Sequence, residues 1–145
     1  MDVQNWARQN TPQEAVFITP PQEVGLYTPD WRTFSERGTV AELYDLFEIA
    51  LKPDYLAVWQ PRFEALAPGA LERFNGNFFE NQAIIRQAYN GLSTSDFLAI
   101  ACRYKAAYLV MEQAAGPAGG DLPVVYENEQ YRVYDLRPRA NCQIN

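Results

Sequence analysis

The side chains best suited to chemistry follow two apolar segments near the start of the chain. Thr19, with Pro20-Pro21 behind it, closes the run Ala15-Val16-Phe17-Ile18, and Ser35-Glu36-Arg37 follows Arg32-Thr33-Phe34. If both runs are strands of an open α/β sheet, these residues stand at its carboxyl edge, where such sheets bind ligands. Arg37 would then hold a carboxylate, a phosphate or a sugar hydroxyl. The competing reading pairs it with a nearby acid or sets it against a helix end. Glu112, at the end of a later predicted strand, joins Thr19, Ser35 and Arg37 as a candidate ligand-binding residue. Glu36, Glu42, Asp45, Glu48, Glu80, Asp96 and Glu127 are further carboxylates. Two acids flanking a bond can do general acid–base work, but no spacing here selects a pair.

Trp31, Trp59, Arg62 and Phe63 form a second group. Aromatic faces with an arginine suit sugar stacking or protein contact, yet Trp59 and Phe63 are also spaced to share one buried helix face. The stretch Ala115-Gly116-Pro117-Ala118-Gly119-Gly120 invites comparison with a phosphate loop. It opens onto a Pro-led strand rather than a helix N-terminus and has no Gly-Lys-Ser/Thr ending, so that chemistry is not expected. The sequence has no histidine, which removes Ser-His-Asp and Cys-His catalysis and the commonest zinc sites. No metal, cofactor or catalytic residue is assigned. The two cysteines, Cys102 and Cys142, fit no metal spacing; either they pair, or Cys102 packs in a helix and Cys142 sits in a loose tail.

The elements that must position these residues can be read from pattern. A helix over 3–10 stops before Thr11-Pro12, because a residue preceding proline disfavours the helical region. A strand over 15–19 is apolar throughout, as expected of one covered on both faces. A loop over 22–31 and a short strand over 32–35 follow. Val40, Leu43, Tyr44, Phe47, Ala50 and Leu51 have helical spacing, with Thr39 as N-cap and Glu42 as its capping-box partner. Helices are also predicted over 55–66, with Pro61 inside, over 80–90 with Gly91 ending it, and from Ser93 or Ser95 through Tyr104. Strands over 107–111, 124–127 and 131–136 complete the chain, the last two joined as a hairpin through Asn128-Glu129. The expected architecture is one α/β domain over 1–145: a layered, mainly parallel sheet of about five strands, a helical middle and a C-terminal β-hairpin.

Composition agrees with one folded domain. The chain has 145 residues, 48% of them apolar, which suffices for one core. Its net charge is −6 and its basic residues are scattered, so nucleic acid is not an expected partner and an anionic membrane surface is disfavoured. No apolar run approaches the ~20 residues of a membrane span, and no signal peptide is evident.

Two stretches carry a family resemblance. One is Trp6-Ala7-Arg8-Gln9-Asn10-Thr11-Pro12 with Ala15-Val16-Phe17-Ile18-Thr19-Pro20. The other is Tyr108-Leu109-Val110 with Pro123-Val124-Val125-Tyr126-Glu127-Asn128 and Tyr131-Arg132-Val133-Tyr134. Together they resemble the soluble C-terminal extracytoplasmic domain of polytopic bacterial membrane proteins similar to GT-C glycosyltransferases. The resemblance implies a fragment of a membrane-anchored parent, soluble by itself and placed on the extracytoplasmic side. Its partner in cis would be the rest of that parent, with a carbohydrate or protein as a further partner. In such enzymes the catalytic acids are expected in the membrane region, so none is carried over here. The resulting expectation is a non-catalytic accessory domain. The alternative is a stand-alone small α/β ligand-binding protein or enzyme that uses a cleft at the strand ends near Thr19, Ser35 and Arg37. A third option is an interaction module that works through exposed aromatics.

Overall fold

The computed structural model describes residues 2–21, 30–117, 119 and 121–142. Helix α1 (Asp2–Asn10) leads into strand β1 (Val16–Ile18). Thr11 closes the helix by donating its hydroxyl to the Ala7 carbonyl at 2.6 Å, just ahead of Pro12. Most of the loop expected over 22–31 lies outside the described residues.

The strand expected over 32–35 is instead a short helix, α2 (Trp31–Ser35). The cause is Asp30, whose carboxylate accepts from the Thr33 backbone N–H at 2.7 Å and caps the first turn. Glu36 ends α2 in the left-handed conformation, with φ 51°. The true second strand is β2 (Gly38–Thr39), so Thr39 is a strand residue rather than a helix cap. The capping box belongs one turn later: Asp45 accepts from the Glu42 N–H at 2.9 Å, and the Glu42 side chain turns back on the same turn.

The helical middle follows as a 3-10 turn (Leu43–Asp45), α3 (Leu46–Leu51), a second 3-10 turn (Pro53–Tyr55) and α4 (Leu56–Leu66), which accommodates Pro61. α5 (Phe78–Asn90) starts at Asn77, whose side chain accepts from the backbone of Phe79 and Glu80, and it ends at Gly91. α6 (Thr94–Tyr104) starts at Ser93 with a reciprocal Ser93–Asp96 capping box. Strands β3 (Tyr108–Glu112), β4 (Val124–Glu127) and β5 (Tyr131–Asp135) complete one five-stranded sheet in the order β2-β1-β3-β5-β4.

The sheet is mixed rather than mainly parallel. β1 runs parallel to both β2 and β3, whereas β3–β5 and β5–β4 are antiparallel. The reason lies in the connections: helices carry the chain between β1, β2 and β3, while a tight turn joins β4 to β5 and fixes them antiparallel. A register shift between Val124 and Tyr126 bends edge strand β4.

Side-chain alternation divides the core between the two faces. Phe17, Tyr108, Val110 and Val133 pack with Val3, Ala7 and Trp31 from α1 and α2. Ile18, Leu109, Met111 and Tyr134 pack with Trp59, Phe63, Ile85, Tyr89 and Phe97 from α4, α5 and α6. Each fully buried aromatic or leucine contributes roughly 1.5–3 kcal/mol through apolar burial. Cys102 of α6 is bonded to Cys142, which ties the segment after β5 to the helical face and settles the pairing that spacing left open.

Candidate functional site

β1 and β2 end side by side, and their carboxyl ends set the geometry of the region. The Thr19 and Thr39 hydroxyls meet at 2.7 Å in a buried position. Just beyond, Glu42 links three elements. Its Oε1 accepts from the Trp31 backbone N–H at 2.9 Å, its carbonyl accepts from Trp59 Nε1 at 2.8 Å, and its own N–H donates to Asp45. Arg32 Nη1 donates to Asp45 Oδ1 at 2.5 Å. Glu42 Oε2 lies 3.3 Å from the same Arg32 nitrogen, within ion-pair range, but makes no hydrogen bond. Burial is the main cause that pushes the Glu42 carboxyl up from 4.5 to about 7, and the Arg32 charge opposes it only in part. Arg32 is held charged because its hydrogen bond and charge contact with Asp45 overcome its own desolvation.

The other candidates serve different places. Ser35 Oγ donates to the Trp31 carbonyl at 2.7 Å and accepts from the Arg37 N–H at 3.1 Å. Arg37 precedes β2, so it stands at the amino edge of the strands, opposite Thr19; Gly38, the next residue, bonds the Ala15 carbonyl at the start of β1. The misplaced strand over 32–35 is what had put Arg37 at the carboxyl edge. Its guanidinium is met on every donor: Nε by Thr11 Oγ1, Nη1 by the carbonyls of Ser35 and Glu36, and Nη2 by those of Arg8 and Thr11. These carbonyls lie where α1 and α2 end, the negative ends of both helices. No donor of Arg37 is left for a ligand.

Glu112 ends β3 and pairs with Arg86 of α5 at 2.5 Å. Burial first, and then the Glu112 charge, raise the pKa of neighbouring Tyr131. Tyr89 of α5 bridges the neighbouring strands β1 and β3. Its hydroxyl donates to the Val110 carbonyl at 2.8 Å and reaches the Ile18 carbonyl at 3.5 Å. The structure thus brings Thr19 to Thr39 and Ser35 to Arg37, and it joins neither pair to Glu112.

The aromatic–arginine group does not assemble. Trp59 and Phe63 stack at 4.6 Å in the core, Arg62 lies over Tyr104, and Trp31 packs on the opposite face of the sheet. In the glycine-rich stretch, positions 118 and 120 lie outside the described residues. Among the described residues, no group of three or more His, Cys, Asp or Glu side chains is placed to hold a metal. Also among them, no helix is long and apolar enough to cross a membrane. Sequence reasoning placed Glu42 only as a cap partner of Thr39 and one of many carboxylates, and it missed Tyr89. Glu42 could have been found from its three-residue spacing to Asp45, the signature of a capped turn; nothing local marks Tyr89, which reads as one more apolar helix position.

A family model described as a domain of unknown function (DUF6798) matches residues 1–66. The match runs from α1 to the end of α4 and so includes both the Arg37 cage and the Glu42 network. No curated protein and no solved structure matches the chain.

Proposed function

We propose that this chain is a non-catalytic accessory domain on the extracytoplasmic side of a membrane-anchored, glycosyltransferase-like parent, where it contacts a sugar or protein partner. The Cys102–Cys142 disulfide carries the reading. Such bonds persist in oxidising compartments and are rare where thiols are kept reduced. The internal use of Arg37, Ser35, Thr19 and Tyr89 supports it further, because groups a ligand would need are bonded to the protein.

Thiol trapping in the native host tests the location. Cys102 and Cys142 should resist alkylation by a maleimide-linked polymer until a reductant is added; immediate labelling of both would refute an extracytoplasmic placement. Carbonate washing of the cell membranes tests the anchor. The protein should stay with the pellet, and its release would leave no membrane-anchored parent.

One observation favours the second reading, a small ligand-binding protein or enzyme. Glu42 stands at the carboxyl edge with a carboxyl that titrates at about 7, as a general acid or base would. A thermal-shift screen of small carboxylates, phosphates and sugars separates the two readings. A stabilising ligand whose effect vanishes in Glu42→Gln supports the ligand site, since binding to the native state alone raises stability.

A further inference from the structure

The cations of this acidic chain are scattered in sequence, but the fold gathers most of those that lack a partner. Among the described residues five arginines form ion pairs, Arg37 is caged by carbonyls and Arg73 donates to the Gln87 side chain. Arg62, Arg103 and Arg139 are the arginines whose side chains meet no acceptor among those residues. Two of them share one ring: the guanidinium carbons of Arg62, from α4, and Arg103, from α6, lie 5.5 and 5.3 Å from the centroid of Tyr104. The Tyr104 hydroxyl donates to the Pro61 carbonyl at 3.3 Å, which seats the ring against α4 beside Arg62. Lys105 follows directly as the left-handed C-cap of α6. The Cys102–Cys142 bond draws the turn that carries Arg139 to the same end of that helix. Arg103, Lys105 and Arg139 are exposed, and Arg62 is half-buried.

A helix C-terminus attracts cations, but its partial charge of about −0.5 balances less than one of them. Arg62 and Arg139 also come from other elements, so the end of α6 does not account for the group. Attraction to the Tyr104 face holds the two guanidinia in place and leaves their N–H donors without an oxygen. In a chain of net charge −6, this is a local concentration of positive charge with open donors. Two planar forks of donors on one ring match a tetrahedral oxyanion, whose oxygens lie in more than one plane; a carboxylate is satisfied by a single fork. We propose that Arg62 and Arg103, both seated on Tyr104, clamp a phosphate group, with Lys105 and Arg139 adding to the local field. The site lies apart from the Glu42 network and goes beyond the accessory-domain reading, on which it does not depend.

Titration of the isotope-labelled chain with methyl phosphate at low ionic strength, followed by NMR, tests the clamp. The Nε–H signals of Arg62 and Arg103 and the amides of Arg103, Tyr104 and Lys105 should shift saturably, and acetate at matched ionic strength should move them far less. The double variant Arg62→Gln, Arg103→Gln should lose at least tenfold in phosphate affinity, the loss of two charge-assisted forks. Its amide spectrum should stay unchanged elsewhere, since neither guanidinium is bonded to the described protein. The pair Arg8→Gln, Lys52→Gln makes the same change in net charge away from the site and should leave binding nearly unchanged. Vesicles carrying phosphatidic acid present the same group on a lipid. Co-sedimentation that is lost in the clamp variant assigns the lipid source, and binding of methyl phosphate without co-sedimentation assigns the free one. No saturable binding of either, an equal response to acetate, or an equal loss in the control pair overturns the proposal.

Discussion

Two buried charges flank β2, and the protein treats them oppositely. Arg37 enters the strand with its donors met by one hydroxyl and four carbonyls. Glu42 follows the strand with one oxygen hydrogen-bonded and the other not. Neutral carbonyls at the ends of α1 and α2 suffice to hold a cation, because the helix dipoles point their negative ends at it. Glu42 has a cation nearby, but Arg32 gives its short hydrogen bond to Asp45, and the carboxyl is left to be neutralised by a proton instead. The contrast is one of hydrogen-bond satisfaction: every donor of Arg37 has a partner, whereas one oxygen of Glu42 has none.

The largest expected effect comes from emptying the Arg37 cage. Arg37→Met keeps much of the side-chain volume but leaves the carbonyls of Arg8, Thr11, Ser35 and Glu36 without their donor. An unsatisfied buried acceptor costs about 1–3 kcal/mol, and most of these carbonyls are only part-buried, so the loss should be about 2–3 kcal/mol, read as a lower urea midpoint at unchanged slope. Arg37→Lys should recover only a small part, since an ammonium cannot reproduce the planar fork. A loss below about 1 kcal/mol would show that water replaces the guanidinium and that the cage is not what joins α1 to α2.

The next effect lies in pH. The Glu42 carboxyl is raised in the folded chain, from 4.5 to about 7, so folding favours its protonated form. Between those two values the folded chain binds more protons than the unfolded one, and stability falls as pH rises. The stabilising contribution is complete below about 4.5 and gone above about 7. The drop from this residue is on the order of 3 kcal/mol by linkage. Glu42→Gln, neutral throughout, should flatten the curve across that window when urea midpoints are taken from pH 4.5 to 8. An unchanged slope in the variant would place the titrating group elsewhere and remove the contrast with Arg37.

Much of the scaffold was legible because its signals are local. Ser93 with Asp96, Gly91 after α5 and the short link before Tyr131 each specify a cap or a turn by chemistry confined to a few residues. Trp31 to Ser35 was misread because β-branched and aromatic residues dominate so short a run, while the deciding signal, the Asp30 cap, sits just before it. That single error carried Arg37 to the wrong end of the sheet. The parallel share of the sheet was overstated because strand pairing is a tertiary choice, which the hairpin at β4–β5 makes for the second half. The inverted helix at Leu43–Leu51 shows why pattern alone fails there: its spacing is that of a core helix, and only packing reveals that Asp45 rather than Phe47 faces inward.

The smallest effect tests the same rule without a charge. Thr19 and Thr39 pair hydroxyl to hydroxyl at 2.7 Å, between the two charged sites and inside the β1–β2 contact. Thr19→Val or Thr39→Val alone strands one buried hydroxyl and should cost about 1 kcal/mol, at the lower end of the range for an unpaired buried group. The double Val variant removes both polar groups and keeps both shapes, so it should be closer to the parent than either single change is. A double variant that merely sums the single losses would mean the hydroxyls are not coupled. In that case satisfaction of partners would not be the variable that distinguishes Arg37 from Glu42, and the contrast would have to rest on charge sign and helix dipoles alone. A coupling of about 1 kcal/mol or more between the two positions, read from the four urea midpoints, instead extends the rule from a cation and an acid to a neutral pair that bridges β1 and β2.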